Sequence, residues 1–384
     1  MHAFLRLIKI AYRLVRSIPR KLSFGRMSYK SRHFLIKNNI VKGYYDLEVY
    51  NASTGLVLLL EVTRNIWLTP KGFGRIIVLD LKTDNVVFRS EWNAVWNWQQ
   101  ASRQCWMNEE EFVYNSYNSE DDNYCSVIIN YLTGDTRLVN SPIQTKVDPH
   151  HFVSIDYKRL NVCRPDYGYN HHKVSNANEA LKIKLINTID GTAQEMVHFD
   201  AEKLKLSNWR LNHILVSRNY LIFLERYEIQ GRTVHKLWRV DMTTGEKEVL
   251  NSIIHVSHYC FVADDVILIT AQRDKVWFLE FINVKEDCIL SSVPFFDCHP
   301  TFIKGGLVVA DRYTDGSGMK RLYKILYDES SFEIFTFSEI YASPEPFHLT
   351  DVRRCDLHVN VLTESSVIID ESNLKKRYVT TIQI

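Results

Sequence analysis

A short unit recurs seven times after residue 45, and it constrains the fold more than any other feature of the chain. The unit is a strand-like run, a polar turn and a second strand-like run, and it occupies residues 75–90, 126–139, 183–197, 236–250, 278–292, 321–335 and 366–384. Several turns contain Thr-Gly or Asp-Gly, because glycine accepts the positive φ of tight hairpin turns. The copies follow one another at about 40 to 60 residues, which is the period of propeller blades.

This repeat predicts an all-β fold, a seven-bladed β-propeller spanning residues 46–384. Each hairpin is expected to form the outer pair of a four-stranded blade, with apolar runs such as YLIFLERY and DVILITA as inner strands. Residues 46–62 are predicted to join the last blade and close the ring. A β-sandwich or two smaller β-domains are the alternatives, and the unbroken repeat disfavours both. Residues 164–180 form a long polar insertion.

Composition and cysteine spacing exclude several classes of protein. The net charge is only +2, whereas general nucleic-acid binders are strongly basic, so no nucleic acid is expected as a partner. The seven cysteines include no CxxC pair, which excludes zinc-knuckle and thioredoxin-type motifs and fits a reducing compartment. No nucleotide or organic cofactor is expected.

The N-terminal segment, residues 1–34, differs from the rest of the chain. Residues 1–45 contain no Asp or Glu, and they carry eleven cations: Arg6, Lys9, Arg13, Arg16, Arg20, Lys21, Arg26, Lys30, Arg32, Lys37 and Lys42. Apolar residues recur there at helical spacing, with most of the early cations on the other face, until Pro19 stops the pattern. The sequence therefore predicts a short basic amphipathic helix.

Three interpretations of this helix stay open: binding to an anionic membrane surface through residues 1–20, packing on the main domain, or a mitochondrial-type transit peptide. Its cations interrupt the apolar run too often for a secretory signal or a membrane span. No other segment is apolar for long enough to be transmembrane. We expect a cytoplasmic protein that is peripheral to the inner face of the membrane.

Four histidines precede the inner strands of four successive predicted blades, namely His213, His258, His299 and His358. In a propeller this position faces the central channel, so the four imidazoles are expected to converge. Two interpretations follow: a divalent metal (Mn, Zn or Ca) held by His258, His299 and His358, with Asp297 or Asp356 as orienting carboxylates, or acid–base chemistry without metal. The alternative is that each histidine caps its own strand.

Arginines, amides, acids and aromatics are also predicted around the same mouth. The candidates for substrate binding are Gln100, Arg103, Arg159, Tyr167, Asp297 and Asp311, and Arg226 and Tyr313 are predicted around the same mouth. Guanidinium groups bind carboxylates and aromatic rings stack on the apolar faces of sugars, so this set predicts an acidic oligo- or polysaccharide as the partner.

The motifs at the heads of the last four blades resemble a known family. The series NH…FLxRY, SH, DxHP, DxY and DLH is similar to the seven-bladed propeller polysaccharide lyases of the oligogalacturonate and ulvan lyase type. It is closer still to uncharacterised propellers from bacterial surface-polysaccharide gene clusters. The match covers residues 90–384. This chain departs from the family pattern DLHPR, because it reads Asp356-Leu357-His358-Val359-Asn360 and lacks the arginine.

The resemblance implies β-elimination beside a uronic acid, with His or Tyr as base and acid and a cation that neutralises the carboxylate. Carried over to this sequence, it places His213, His258, His299 and His358 around the cleavage point, with Arg226 and Tyr313 nearby. The related epimerisation of an acidic glycan is a further possibility for the same site. The alternative is a non-catalytic glycan-binding or scaffolding propeller of a membrane-associated polysaccharide assembly system. A WD-repeat scaffold is disfavoured because its Gly-His and Trp-Asp signature is missing.

Overall fold

The computed structural model describes residues 31–384 apart from residues 35, 37, 64–71, 170–179, 201–205, 252–254, 346–353 and 374–375. In this part of the chain, 29 strands form seven antiparallel sheets, and one short helix lies between two of the strands. The predicted fold class, an all-β seven-bladed β-propeller, is confirmed.

After β1 (Ser31–His33), the strands of each blade run in order from the innermost to the outermost. Blade 1 contains β2 (Asn39–Val41), β4 (Leu56–Val62) with the short β3 (Tyr50–Asn51) beside it, β5 (Gly74–Asp80) and β6 (Val86–Arg89). Blade 2 contains β7 (Cys105–Trp106), β8 (Glu111–Asn118), β9 (Asn123–Asn130) and β10 (Thr136–Val139). Blade 3 contains β11 (Thr145–Asp148), β12 (His151–Ser154), β13 (Leu181–Asn187) and β14 (Ala193–Phe199).

The remaining blades follow the same order. Blade 4 contains β15 (Ser207–Val216), β16 (Tyr220–Ile229), β17 (Arg232–Asp241) and β18 (Lys247–Val249). Blade 5 contains β19 (Val256–Ala263), β20 (Val266–Arg273), β21 (Val276–Asn283) and β22 (Cys288–Pro294). Blade 6 contains β23 (Cys298–Lys304), β24 (Leu307–Arg312), β25 (Met319–Tyr327) and β26 (Ile334–Pro344). Blade 7 contains β27 (Asn360–Thr363), β28 (Ser366–Ser372), β29 (Arg377–Gln383) and β1.

The second strand of a blade is buried along most of its length because neighbouring blades cover both of its faces. β4 and β28 are buried at every residue, and β16 is buried at all but its last two. Such strands lack the alternation of half-buried sheets, which explains the continuous apolar runs in the sequence. The outermost strand β22, by contrast, has no buried residue.

The helix α1 (Tyr157–Cys163) lies between β12 and β13, at the start of the polar insertion in blade 3. The Asp156 side chain caps its N-terminus by accepting hydrogen bonds from the backbone N–H groups of Lys158 and Arg159. Its C-terminal residue Cys163 donates to the carbonyl of Trp209 in β15, at 3.5 Å. The helix therefore packs against the innermost strand of blade 4.

A strand from the start of the described chain completes the last blade. β1 pairs antiparallel with β29, whereas β4 pairs with β2 and β5 in blade 1. The expectation that residues 46–62 join the last blade is therefore wrong, because the first hairpin needs inner strands and these residues supply them. The seventh hairpin, β28–β29, is the middle pair of its blade rather than the outer pair, since β1 lies outside it. The propeller also includes strands upstream of residue 46.

A buried polar clasp, formed by Lys42, Gly43, Asn360 and Asp370, joins the segment after β2 to blade 7. The Asp370 carboxylate accepts hydrogen bonds from the backbone N–H groups of Lys42 (2.8 Å) and Gly43 (3.2 Å). Lys42 Nζ donates to Asn360 Oδ1 at 2.5 Å, and Asn360 Nδ2 donates to the carbonyl of Tyr45 at 3.0 Å. Burial lowers the pKa of Lys42 to about 8. The clasp fixes the segment that follows it inside the ring.

Gly43 is required in the clasp by its backbone conformation and by the space around it. Its φ is +97°, in the left-handed region that favours glycine. A Cβ atom would lie 2.8 Å from Leu47 Cδ1 and 3.1 Å from the carbonyl oxygen of Gln100. A side chain at this position would therefore be strained and would force Leu47 or the Gln100 turn to shift.

The predicted basic segment of residues 1–34, with its amphipathic helix over residues 1–20, falls almost entirely on residues 1–30, which lie outside the described residues. It stays a prediction there, while Ser31–His33 form β1 of the propeller. Among the described residues, no helix has the length and apolar character that crossing a membrane would require.

Replacing Asp370 by Ala is expected to lower the free energy of unfolding by about 3 kcal/mol. The change leaves two buried backbone N–H groups without acceptors, and each such group costs roughly 1–3 kcal/mol. Urea unfolding at pH 7.5 measures the loss. Glu246→Ala, which removes an exposed carboxylate from a hairpin turn, is the control and should cost less than about 0.5 kcal/mol. Equal stability of the two variants would contradict the role of the clasp.

Candidate functional site

Four histidines from four consecutive blades lie together among the innermost strands. His213 lies in β15, His258 in β19 and His299 in β23, and His358 lies two residues before β27. The ring centroids of successive pairs are 4.7, 4.1 and 4.8 Å apart. All four side chains are at most 5% exposed. We call this row of rings, from blade 4 to blade 7, the histidine arc.

Irregular backbone aims these side chains inward. His213 has a φ of +52° and lies within a register shift of the β15–β16 pair, and His358 has a φ of +42°. His258 lies within a register shift of the β19–β20 pair. Bulges and positive φ at non-glycine residues are costly, and they persist where the surrounding structure enforces them, often at functional sites. The sequence gives no local sign of these bulges.

Two adjacent tyrosines, Tyr44 and Tyr45, pack against the histidine arc and were not predicted as site residues. The Tyr44 ring lies 4.6 Å from the His358 ring and 5.7 Å from the His213 ring, and its hydroxyl lies 3.3 Å from His213 Nδ1. The Tyr45 ring lies 5.2 Å from the His299 ring. The clasp places both tyrosines here. Their sequence signal, Gly-Tyr-Tyr, falls within the basic N-terminal stretch and was not associated with the blades.

Asp311 organises the blade 6 end of the arc. Its Oδ1 lies 2.9 Å from His299 Nδ1, and its Oδ2 accepts the backbone N–H of His358 at 3.0 Å. Burial lowers the pKa of His299, but the Asp311 carboxylate outweighs it, so that this pKa is raised overall. The hydrogen bond at Nδ1 leaves Nε2 of His299 directed to the rest of the arc. Asp311 was predicted to bind substrate, but it lies beneath the arc, 1% exposed.

The other three arc histidines are held neutral. Burial, followed by the charges of neighbouring histidines and arginines, lowers the pKa of His213, His258 and His358 well below the usual value. Within the described residues, Nε2 of His213 and Nε2 of His358 are buried and have no hydrogen-bond partner. Buried polar atoms are almost always satisfied, so these two nitrogens indicate a ligand, an ion or water.

Tyr313 bridges two of the arc histidines. Its hydroxyl lies 3.1 Å from His299 Nε2 and 3.4 Å from His258 Nε2. Burial raises the pKa of Tyr313 well above the usual value, so the phenol keeps its proton at neutral pH. A protonated phenol beside a neutral imidazole is an acid–base pair within reach of one reacting group.

A buried group that could bind a metal lies at the blade 7 end of the arc. It comprises His299, Asp356 and His358, one ligand atom of each lying within 4.8 Å of the others. Asp356 Oδ2 is 3.9 Å from His358 Nε2 and also accepts from Arg354 Nε at 2.9 Å. Two imidazoles and a carboxylate suit a divalent transition metal, and the unpartnered His358 Nε2 fits such an ion. This group contains Asp356 where the sequence predicted His258.

Three more predicted residues lie next to the arc. The Asp297 side chain is 24% exposed and lies 3.8 Å from His258 Nδ1, and burial raises its pKa to about 6. The Tyr167 ring meets the His213 ring edge-on, with centroids 5.9 Å apart. Arg226 is buried, and its Nη2 donates to the carbonyls of Val256 (3.0 Å) and Ser257 (2.9 Å), immediately before His258.

Three predicted substrate-binding residues are buried and contact other parts of the propeller, and their role in substrate binding stays a prediction. Arg103 is 1% exposed and forms a bidentate ion pair with Asp46, at 2.8 and 3.0 Å. Arg159 donates to the carbonyl of Trp209. Gln100 is buried in a tight turn beside the clasp glycine. Their positions before strands led to the prediction.

Comparison with solved structures places this fold beside known propellers. An oligogalacturonate lyase from Vibrio parahaemolyticus has 10% sequence identity and a TM-score of 0.66, and the match covers 94% of each chain. An oligogalacturonate lyase solved in complex with manganese has 11% identity and a TM-score of 0.61 over 93% of each chain. An ulvan lyase of a new polysaccharide lyase family, also solved bound to a GlcA(1-4)Rha3S repeat, has 8% identity and a TM-score of 0.50, covering 92% of this chain and 96% of that one.

The chain is thus a seven-bladed propeller structurally similar to oligogalacturonate and ulvan lyases, at low sequence identity. No model of a protein family matches the sequence, and no curated protein matches it. The resemblance indicated by the sequence motifs is confirmed at the level of the fold. At these identities the likeness extends to the fold alone.

His213 should make the stability of the protein depend on pH. Because its folded-state pKa is lowered, its contribution is complete above about pH 6.5 and is lost as the pH falls toward the folded pKa. Between pH 6 and 5, the wild type should lose about 1.4 kcal/mol per pH unit more than His213→Gln. Urea unfolding in chelator-containing buffers measures this difference. His150→Gln, at an exposed position, should follow the wild type, and parallel curves for all three proteins would contradict the assignment.

Proposed function

We propose that this propeller is a metal-assisted lyase that cleaves an acidic, uronate-containing glycan by β-elimination. One observation carries the proposal: the His299–Asp356–His358 group, the neutral His258 and the protonated Tyr313 lie together in the histidine arc. Elimination next to a carboxylate needs a cation, a base and an acid at one place, and this arrangement supplies a candidate for each.

His258 is the proposed base. β-Elimination removes the proton on the carbon that bears the uronate carboxylate, and the electron pair forms a double bond as the glycosidic oxygen leaves. His258 is neutral, so its Nε2 lone pair can accept that proton. Its Nδ1 lies 2.9 Å from Ser257 Oγ, which holds the ring in place.

Tyr313 is the proposed acid. The Tyr313 hydroxyl carries its proton and lies between His258 Nε2 and His299 Nε2, so it can donate to the leaving glycosidic oxygen. The proton accepted by His258 can afterwards return to the Tyr313 oxygen over the 3.4 Å that separates them, which restores the starting state. No net proton is then lost from the pair.

A divalent metal would be held by His299, Asp356 and His358, and when bound it supplies the positive charge that neutralises the substrate carboxylate. Asp311 keeps His299 in the tautomer that leaves Nε2 available to the ion. His299 is therefore a proposed ligand rather than the base. Manganese is the ion of one structural neighbour and the first to test here.

Arg226 is proposed to position the base. Its Nη2 group donates to the carbonyls of Val256 and Ser257, and its expected contact with a carboxylate stays a prediction. These contacts hold the first residues of β19, and so fix His258 relative to Tyr313. Replacing Arg226 by Lys removes the Nη2 group that reaches both carbonyls.

A non-catalytic glycan-binding propeller is the second candidate, and Asn360 favours it. Asn360 takes the place of the arginine that the related motif DLHPR carries. It is 4% exposed and belongs to the clasp, where it contacts Lys42 and the carbonyls of Tyr45 and Leu47. This position therefore serves ring closure and offers no cation to a substrate.

Activity on uronate-containing polysaccharides tests the two candidates directly. β-Elimination leaves an unsaturated uronate that absorbs in the near ultraviolet, so a panel of such polysaccharides can be screened with Mn²⁺ present. On a substrate that responds, His258→Ala should lower the rate by about 10²–10⁴ with little change in binding, because a general base is lost.

His150→Ala, an exposed histidine, is the matched control and should keep full activity. Asp356→Asn should weaken the thermal stabilisation that Mn²⁺ gives the wild type, which reports the metal site without turnover. If a glycan binds yet neither absorbance nor exchange of the sugar C5 hydrogen with deuterated solvent appears, the protein is a binding module.

We also propose that the protein acts in bacterial surface-polysaccharide metabolism, at the cytoplasmic face of the membrane. The basic amphipathic pattern of residues 1–20 supports this location, since such helices bind anionic lipid surfaces. Deleting residues 1–20 should abolish co-sedimentation with vesicles containing anionic phospholipid and leave the melting temperature nearly unchanged. Equal sedimentation of the truncated and full-length proteins would refute membrane binding.

A further inference from the structure

Two arginines face each other across the first strand pair of blade 4 without a carboxylate partner. Arg210 in β15 and Arg226 in β16 are directly opposed in the antiparallel register. Their side chains are 7% and 6% exposed. Within the described part of the chain, neither makes an ion pair, and their hydrogen bonds run to backbone carbonyls and to His235. Like charges directly opposed on a sheet are destabilising, and burial increases the cost.

A third guanidinium adjoins this pair. Arg164, the C-cap of α1, is ion-paired with Asp166 at 2.8 Å, so it adds little net charge. The three arginines act on one another: burial, then Arg164 and Arg226, lowers the pKa of Arg210 to about 10. Burial and neighbouring cations both disfavour the charged form of a guanidinium. Arg210 and Arg226 therefore carry two positive charges with no ion-pair partner among the described residues, beside the His213 end of the histidine arc.

Unsatisfied polar atoms concentrate on the same strand. Arg210 Nε, both polar atoms of the Asn212 side chain, and His213 Nε2 are buried and have no hydrogen-bond partner in the described structure. All three residues are at most 7% exposed and lie within four positions of β15, with Arg210 and Asn212 between its two register shifts and His213 within the second. Native structures leave few such atoms unsatisfied, so several on one short stretch indicate a missing partner.

We propose that Arg210, Asn212 and Arg226 form an anion-binding subsite beside His213, which binds a carboxylate or a sulfate ester. Such a group has several acceptor oxygens for guanidinium and amide N–H donors, and it neutralises the opposed cations. This subsite lies at the blade 4 end of the histidine arc, whereas the His299–Asp356–His358 group lies at the blade 7 end.

The position of the subsite narrows the class of substrate, an extension that rests on the proposed function. A glycan that places one uronate carboxylate at the blade 7 end would place a second anionic group, on another sugar residue, at Arg210. The ligand is then a chain with acidic groups on more than one residue, and not a neutral chain with a single uronate. Arg210 would determine specificity and would take no part in the bond-breaking step.

Simple anions test the subsite without metal, glycan or turnover. The melting temperature of the full-length protein is measured against increasing sodium sulfate and sodium acetate, with sodium chloride at equal ionic strength as the reference. We expect sulfate or acetate to stabilise the wild type saturably beyond chloride, because it binds the folded state. A response to sulfate alone assigns the subsite to a sulfate ester, and a response to acetate assigns it to a carboxylate. No response to either beyond chloride overturns the proposal.

Arg210→Gln should raise the half-saturating anion concentration at least about tenfold, since a charge-assisted contact is lost. Without added anion, the melting temperature of Arg210→Gln should be no lower than that of the wild type, because the substitution removes the repulsion between Arg210 and Arg226. Arg232→Gln, which removes an exposed cation from the β16–β17 turn, is the matched control and should respond as the wild type does. An unchanged anion response in Arg210→Gln would overturn the subsite, as would a clear drop in melting temperature without anion.

Arg210→Lys keeps the positive charge but loses the forked guanidinium group, so it should bind the anion severalfold more weakly. This variant provides the test if Arg210→Gln does not fold. A wild-type response in the Lys variant would then overturn the proposal. The test also distinguishes a failure of the anion-binding subsite from a failure of the proposed lyase function. A protein with no lyase activity can retain the Arg210-dependent response, and an active lyase can lack it.

Discussion

The structure depends on the clasp that Asp370 makes with the backbone of Lys42 and Gly43. Propellers must join the two ends of a chain around a ring, and here β1 completes the last blade while the clasp holds the next segment inside the channel. Because that segment carries Tyr44 and Tyr45, closing the ring also packs these two tyrosines against the histidine arc. A carboxylate buried in the second strand of blade 7 thus supports both the fold and its centre.

Much of this architecture can be predicted from sequence because hairpins are local. A turn such as Thr-Thr-Gly fixes two strands at once, and seven of them in series imply blades. Ring closure could not be predicted in the same way, since β1 is three residues long, fully exposed, and pairs with residues some 350 positions away. The partner of β1 depends on which blade edge is left unpaired once all the other strands are in place, and the seven hairpins alone do not determine that edge.

The candidate site, like the fold, could be predicted from the sequence only in part. The alignment of the repeats predicted the four histidines at equivalent positions of successive blades, and in the structure they lie in one row. The alignment does not indicate what surrounds each side chain. Arg103 and Arg226 looked equivalent as sequence letters, yet one is ion-paired with Asp46 and the other has only carbonyl and imidazole partners. Tyr44 was missed because it reaches the arc from a strand connection 169 residues before His213. Burial and charge balance come from tertiary structure.

The histidine arc takes one ring from each of four blades, and a fifth and sixth ring come from the segment that the clasp secures. The cluster is complete only when residues 44–358 are all present. The arc and its two tyrosines come together only after blade 7 has formed and captured the segment that follows the clasp. A chain in which this capture fails would keep the four histidines and lose the two rings that pack against them.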